Sequence, residues 1–223
     1  MSDTHSTILR MAALFSLLVM SSFANANLIV NGSFEDDPFT ANGNFELGLV
    51  GNDVTGWFIP NSNGIYPWGV QDGAFGAFTP FGTQWLVLGL WSSGFEYTIQ
   101  QTLTGLTIGA TYDLSFAIAS ETGCCSQAEV SFLAGSSTAA QSFIATDSGD
   151  FWTDWTTQTM SFIAIESSVT LQFKNIFPNG NGFDLGLDNV IVEQAVGVPE
   201  PSTLALLGLG LAGLGLARRR KQV

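Results

Sequence analysis

Histidine is almost missing from this sequence, and much catalytic chemistry is excluded with it. The single histidine, His5, lies ahead of an apolar run near the N-terminus. A domain that follows this run has no imidazole for a nucleophilic triad, a zinc site or acid–base catalysis near neutral pH. The sequence therefore excludes most hydrolase mechanisms and leaves carboxylate-based chemistry, such as that of a glycosidase.

Cysteine is also scarce, and its only two copies, Cys124 and Cys125, are adjacent. Adjacent cysteines cannot link distant strands, and a disulfide between chain neighbours is strained. In an exported protein, an intermolecular bridge, a strained vicinal disulfide and two loop thiols without an essential role all remain open. Metal binding by this pair is disfavoured, because the domain offers no further Cys or His ligand.

All but one of the basic residues lie near the two ends of the chain. Of the six basic residues, Lys174 is the only one between residues 27 and 198, where seventeen acidic residues lie. The formal charge of this stretch is therefore −16. Such a surface repels a phosphate backbone, which excludes nucleic acid as a partner. Cations and neutral ligands remain compatible with it.

The N-terminus has the parts of a secretory signal peptide. Arg10 precedes an apolar run over residues 11–20, and Ala24 and Ala26 have the spacing of a signal-peptidase site. The run is about half as long as the roughly 20 residues that a membrane-spanning helix needs. We therefore expect a signal peptide over residues 1–26, cleaved by signal peptidase after Ala26, and export of the remaining chain.

The C-terminus, residues 196–223, contains three segments in a fixed order. These are Val198, Pro199, Glu200 and Pro201, then an apolar stretch predicted to be a helix over 203–217, then Arg218, Arg219, Arg220 and Lys221. A basic cluster after an apolar helix stays in the cytoplasm, which places the preceding domain outside. The prolines keep the junction extended, in the form that a protease accepts.

This tail resembles the PEP-CTERM sorting signal. The resemblance implies processing by an exosortase, a membrane transpeptidase-like enzyme of bacteria that make exopolysaccharide and biofilm. The helix would hold the chain transiently in the inner membrane before delivery to the cell surface or the extracellular space. A plain C-terminal anchor would explain the helix and the charges but not the Pro-Glu-Pro sequence.

Residues 27–195 alternate between apolar and polar in short segments bounded by Gly, Asn, Asp and Ser, without a sustained helical period. The expected strands are 84–88, 97–103, 112–118, 128–133, 155–163, 169–174 and 187–193. Half-polar strands at this spacing predict one all-β domain, an antiparallel β-sandwich. Residues 35–83 are loop-rich and depart most from a compact sandwich.

The two ends of this domain resemble those of galactose-binding-like jelly rolls, a group that includes many carbohydrate-binding modules. The matching segments are Asn27-Leu-Ile-Val-Asn-Gly-Ser-Phe-Glu35 with Gly56-Trp57, and Gly186-Leu-Asp-Asn-Val-Ile-Val192. The resemblance implies a jelly roll in which a structural calcium ion ties the first strand to the last. Glu35 and Asp188 would supply its carboxylates. The alternative is that both are solvated or hydrogen-bonded turn residues.

Aromatic residues offer candidate ligand contacts, because sugar rings stack their C–H faces on flat aromatic side chains. All six tryptophans lie in the domain. Trp68, with Tyr66 and Asp72 beside it, is the predicted ligand-binding group. Trp57 and Trp85 are expected in the core, where aromatic residues supply much of the buried area.

Other aromatic residues have open roles. Trp91 and the pair Trp152 and Trp155 are further ligand candidates. The run of Phe75, Phe78 and Phe81 predicts either an exposed apolar loop or a segment folded over the sandwich.

Together these features favour a non-enzymatic surface or matrix protein whose jelly roll binds carbohydrate or exopolysaccharide. One alternative is a purely structural, self-associating surface protein that assembles through the cysteine pair or the aromatic loop. A carboxylate-based glycosidase ranks below both, because no pair of carboxylates is marked out by the sequence.

Overall fold

The computed structural model describes residues 26–40, 43–60, 67–89, 97–121, 126–145, 149, 151–176 and 184–195. These residues form ten strands and one short 3₁₀ helix, Ala74–Gly76. The strands are β1 (Phe45–Glu46), β2 (Trp68–Gln71), β3 (Gln84–Leu88), β4 (Tyr97–Thr104), β5 (Thr111–Ser120), β6 (Gln127–Ala134), β7 (Gln141–Ile144), β8 (Thr156–Ile163), β9 (Ser168–Ile176) and β10 (Leu185–Gln194).

Two antiparallel sheets pack face to face, which confirms the predicted all-β sandwich. The larger sheet has six strands in the order β1-β2-β3-β10-β5-β8, and the smaller has four in the order β4-β9-β6-β7. Each of the seven predicted strands is present. β1, β2 and β7 were not predicted, because segments of two to four residues are too short to display an alternating pattern.

The core lies between the sheets and is built from the inward-facing residues of both. Phe116 contacts Phe173 across the interface, with ring centroids 5.0 Å apart, and Trp57 lies 6.1 Å from Phe173. Trp57 is buried as predicted, and its indole Nε1 donates to the carbonyl oxygen of Asn31 at 3.0 Å. The outward face of the smaller sheet is polar and carries the ion pair between Lys174 and Glu129.

The first described segment runs along the last strand, as the jelly-roll resemblance implies. The backbone N–H of Leu28 donates to Val192, and that of Val190 donates to Gly32, both at 2.8 Å. Gly32 is required here, because a Cβ at this position would lie 2.0 Å from the Val190 carbonyl oxygen. β10 alternates up to Asp188, so Asp188 lies on the face opposite the core residues Leu185 and Leu187, and a bulge follows between Asp188 and Ile191.

Within the described ranges, no helix has the length and apolarity needed to cross a membrane. The predicted helix over 203–217 lies outside these ranges, as do Ala24, the processing residues 198–201 and the basic residues 218–221. Tyr66, Trp91, Cys124 and Cys125 also lie outside them. Their assigned roles stay predictions.

Candidate ligand site

A second hydrophobic cluster covers part of the outward face of the larger sheet. Register pairs Trp68 with Val87 and Val70 with Trp85, so these four side chains lie on the side of the sheet opposite the main core. Ala74, Ala77, Ala119 and Trp152 complete the buried cluster. Trp85 is therefore buried as predicted, but in this outer cluster and not between the sheets.

Two segments fold over this face and hold the cluster in place. One is residues 72–83, which we call the strap, and the other is residues 151–155. The indole of Trp155 donates to the strap at the Phe78 carbonyl oxygen (3.2 Å), and the indole of Trp152 donates to Asp184 (3.1 Å). For the phenylalanine run, both predicted alternatives apply in part: the strap folds over the sandwich, but Phe75 and Phe78 on it are exposed.

The three phenylalanines of the strap have different environments. Phe81 is half-buried and packs edge-on against Trp155, with centroids 6.3 Å apart. Phe78 is 60% exposed and Phe75 is 48% exposed. Phe75 nevertheless contacts Phe45, Trp68 and Phe151, with centroid distances between 5.5 and 6.0 Å.

An apolar pocket of about 190 Å³ opens beside Phe75. We call it the aromatic pocket, and its lining is Phe45, Leu47, Trp68, Phe75, Glu121, Phe151 and Trp152. Of the residues that the structure describes, Glu121 is the only charged one in this lining, and it is 6% exposed. The pocket is smaller than the roughly 300–1,000 Å³ of pockets that hold drug-sized ligands. The size and lining of the pocket suit a ligand that has one flat apolar face and a hydroxyl or amine group at the edge of that face.

Phe75 reaches the pocket from a strained backbone conformation. Its φ of +55° lies in the left-handed region, which non-glycine residues adopt at a cost of about 1–2 kcal/mol. Strain of this kind is concentrated at ligand sites, where the surrounding structure maintains it.

The predicted ligand residues Trp68 and Asp72 do not share one site. Trp68 forms the base of the aromatic pocket and is 4% exposed. Its indole N–H is buried and has no acceptor among the described residues. The Asp72 carboxylate lies outside the pocket lining, where its Oδ1 accepts the Thr79 backbone N–H at 3.0 Å.

Sequence reasoning missed Phe45, Leu47, Glu121 and Phe151 as pocket residues. They come from separate parts of the chain: Phe45 lies in β1, Leu47 directly follows β1, Glu121 directly follows β5, and Phe151 begins the 151–155 segment. No spacing of residues in the local sequence indicates such a site.

Three carboxylates lie under and beside the strap. Glu35 accepts the backbone N–H groups of Thr83 and Gln84 at 2.6 and 2.8 Å, and the Thr83 hydroxyl at 2.7 Å. Asp188 accepts the Thr79 hydroxyl and the Asn189 N–H. These bonds tie the strap to the start of the domain and to β10.

Burial raises the pKa of Asp188 to about 7, while its hydrogen bonds to Thr79 and Asn189 oppose that rise. The negative charges of Glu35 and Asp72 raise it further. No basic side chain compensates in the described part, where the one lysine is paired with Glu129 on the other sheet.

The surplus of negative charge fits the calcium ion predicted at Glu35 and Asp188, but the ligand arrangement fits less well. Both carboxylates already accept protein donors at each oxygen. The described residues also contain no group of three or more His, Cys, Asp or Glu side chains placed to hold a metal ion. A bound cation would have to replace some of these donors, and calcium stays a prediction.

A second, polar depression of about 550 Å³ lies on the same outward face, over β5, β8 and β10. Its side chains include Ser115, Thr159 and Ser161, with Asp113 opposite Glu193 in the strand register. The Ser161 hydroxyl donates to Asp113 at 2.7 Å. Residues 113–115 of β5 line this groove, whereas Glu121, which follows the other end of the same strand, lines the aromatic pocket.

The fold is similar to that of solved carbohydrate-binding modules. The structure of a family 61 module in complex with β-1,4-galactotriose matches 76% of this chain and 99% of its own, with 15% identity and a TM-score of 0.50. A family 16 module matches 74% of this chain and 99% of its own, with 20% identity and a TM-score of 0.44. A putative sugar-binding protein from Bacteroides thetaiotaomicron matches 76% and 100%, with 13% identity and a TM-score of 0.46. At 15% identity the similarity to the family 61 module concerns the fold alone, and it agrees with the predicted jelly roll.

Among curated proteins, Halomucin from Haloquadratum walsbyi is 29% identical over 178 residues. The match covers 76% of this chain but only 2% of Halomucin. Family models match two segments: residues 27–190 match the protein of unknown function family DUF642, and residues 197–221 match the PEP-CTERM protein-sorting motif. The chain is therefore a member of the DUF642 family that ends in a PEP-CTERM motif, a signal for export and surface sorting.

Proposed function

We propose that this protein is a non-catalytic saccharide-binding module delivered to the cell surface, with the aromatic pocket as its binding site. The observation that carries the proposal is the pocket itself. Five aromatic side chains surround a space of about 190 Å³ on a domain whose formal charge is −16, and one carboxylate lies in its lining.

Saccharide rings suit this combination of groups. The C–H face of a sugar packs on an aromatic ring, while a carboxylate such as Glu121 accepts hydroxyl hydrogen bonds. The volume suits one ring, so a chain end or a side branch of an exopolysaccharide is the expected ligand. The acidic surface favours a neutral sugar or an amino sugar over an anionic one.

Binding without turnover follows from the residue types. Glycoside hydrolysis uses two carboxyl groups about 5–10 Å apart on either side of the scissile bond. Among the described residues, Glu121 is the only carboxylate in the pocket lining, and the domain after the signal peptide has no histidine. The pocket therefore offers recognition but not the acid–base pair.

Exosortase processing completes the proposal. The Val198–Pro201 segment would be recognised after the apolar helix has held the chain in the inner membrane, and the domain would then remain at the surface or in the polysaccharide layer. Signal peptidase and exosortase are the processing partners, and exopolysaccharide is the binding partner.

The test is a glycan array followed by calorimetric titration of the best saccharide. We expect binding that falls at least about tenfold in Phe75→Ala, because the substitution removes a wall of the pocket. Phe78→Ala is the matched control: it deletes the same ring from an exposed position in the same strap, outside the pocket lining. A blank array for the folded wild-type protein, or equal losses in both variants, would rule out the aromatic pocket as a saccharide site.

A further inference from the structure

The aromatic rings of the aromatic pocket surround it from several directions instead of forming one flat surface. The planes of Phe45 and Phe75 lie at 88° and 82° to the plane of Trp68, and the plane of Trp152 lies at 71° to it. The ring centroids in these three pairs are between 5.6 and 6.0 Å apart. Separations of this size allow one compact group to lie within about 6 Å of several rings, the range over which an aromatic ring attracts a cation.

The charges in the pocket lining are negative only. Among the described lining residues, Glu121 carries a carboxylate and none has a basic side chain. The indole N–H of Trp152 already donates to the carbonyl oxygen of Asp184 at 3.1 Å. An anionic ligand would therefore lose its water in a pocket that holds a like charge and no compensating positive one, and this costs free energy.

The backbone fixes Glu121 beside one of the pocket rings. The N–H of Glu121 donates to the carbonyl oxygen of Asp184 at 3.0 Å, and the indole of Trp152 donates to the same oxygen. One carbonyl oxygen thus holds both lining residues in place. Glu121 is buried, and a carboxylate acts more strongly on a nearby charge where little water lies between them.

We propose that the aromatic pocket selects an ammonium group, which is attracted by the aromatic rings and by Glu121. The carbon groups on the ammonium nitrogen contact the apolar lining, and the attraction between a cation and aromatic rings is strongest where water is excluded. The formal charge of −16 on the domain favours a cation further.

The identity of the ligand then rests on the proposed function. If the ligand is a saccharide, the ammonium group belongs to it, and the pocket prefers an amino sugar to a neutral sugar of the same shape. A free methylated ammonium compound carries the same chemical group, so the experiment has to separate these two sources.

The experiment is calorimetric titration of the full chain with two pairs of ligands that differ in charge but little in shape. The first pair is glucosamine and glucose, and the second is choline and its uncharged isostere 3,3-dimethylbutan-1-ol. A polyoxyethylene detergent keeps the chain in solution, because it contains neither a sugar nor an ammonium group. We expect each cation to bind about tenfold more tightly than its neutral partner.

Two charge variants locate the preference. Glu121→Gln keeps the shape of the side chain and removes its charge, so it should reduce the preference for the cation in both pairs. Glu46→Gln is the matched control, because Glu46 follows Phe45 in β1 but lies outside the pocket lining. It removes the same unit of charge from the domain, and we expect it to keep the wild-type preference. The wild-type comparison remains decisive if Glu121→Gln does not fold.

The outcomes separate this proposal from the saccharide proposal. Equal affinity within each pair would overturn ammonium selection, and the saccharide proposal would still stand if both sugars bind. A preference that persists in both Glu121→Gln and Phe75→Ala would also overturn it, because the cation would then bind elsewhere on the acidic surface. A preference for choline together with a blank glycan array would support ammonium selection, contradict the saccharide proposal and identify a free methylated ammonium compound as the ligand.

Discussion

The hydroxyl of Thr79 donates to the buried carboxylate of Asp188 at 2.5 Å, and this bond joins the strap to β10. The same strap carries Phe75 into the aromatic pocket, so the acidic group beneath it supports the candidate site. The charge state of Asp188 therefore bears on how firmly the strap is held.

We predict that the free energy of unfolding decreases as pH rises from about 4 to about 7. The pKa of Asp188 is raised from 3.8 to about 7, so the folded protein binds more protons than the unfolded chain in this interval. The contribution of Asp188 to stability is then greatest below pH 4 and is lost as pH rises, by up to about 4 kcal/mol. Urea denaturation across the pH series measures this.

Asp188→Asn isolates the effect of this carboxylate from the repulsion among the other acidic residues. The amide keeps the shape and can still hydrogen-bond Thr79 and Asn189, but it does not ionise. The variant should lose most of the wild-type slope and exceed the wild type in stability at pH 7. If the free energy of unfolding changed with pH at the same slope in both proteins, Asp188 would be ionised throughout this pH range.

Calcium is expected to reverse this dependence if it binds at Glu35 and Asp188. A divalent cation favours the ionised carboxylates, so millimolar CaCl₂ should raise the melting temperature above pH 7 and have little effect near pH 4. For the wild type and for Asp188→Asn, the melting temperature in CaCl₂ is compared with that in EGTA. The difference should vanish in Asp188→Asn. An unchanged melting temperature at every pH would mean that Glu35 and Asp188 are hydrogen-bonded turn residues only.

Sequence alone predicted the strands well wherever alternation ran for five residues or more. β4, β5 and β9 each alternate buried and more exposed residues along much of their length, and each was expected within three residues of its observed ends. Alternation is sufficient here because one face of each strand packs on the core and the other meets polar surroundings.

The candidate site was harder to predict because its parts are distant in sequence. Trp68 and Asp72 are four residues apart, yet the chain leaves β2 between them, and Asp72 turns to bond Thr79. The sequence did not decide whether the run of Phe75, Phe78 and Phe81 is exposed or folds over the sandwich. The contact of Phe75 with Phe151 depends on how two loops cross the same sheet, and no local pattern specifies such a crossing.

Replacement of Pro199 and Pro201 by alanine should abolish sorting while leaving the domain folded. The two prolines keep the segment before the apolar helix extended, and alanine allows the helix to grow backward through the processing site. Intact mass and cell fractionation in the native host measure the outcome, with Pro178→Ala as a proline control in the domain. Normal processing of the double variant would contradict a role for this segment, as would retention of the full C-terminus by the wild type.

Phe75→Asn separates the ligand role of Phe75 from its structural role. Asparagine tolerates the left-handed backbone conformation better than phenylalanine, so the substitution relieves part of about 1–2 kcal/mol of strain. Phe75 is 48% exposed, and its ring therefore contributes less than the roughly 3–5 kcal/mol typical of a buried phenylalanine. We expect near-wild-type stability with loss of saccharide binding. A large drop in melting temperature would instead indicate that the ring is kept to hold the outer cluster together, and the case for the aromatic pocket as a ligand site would lose its main support.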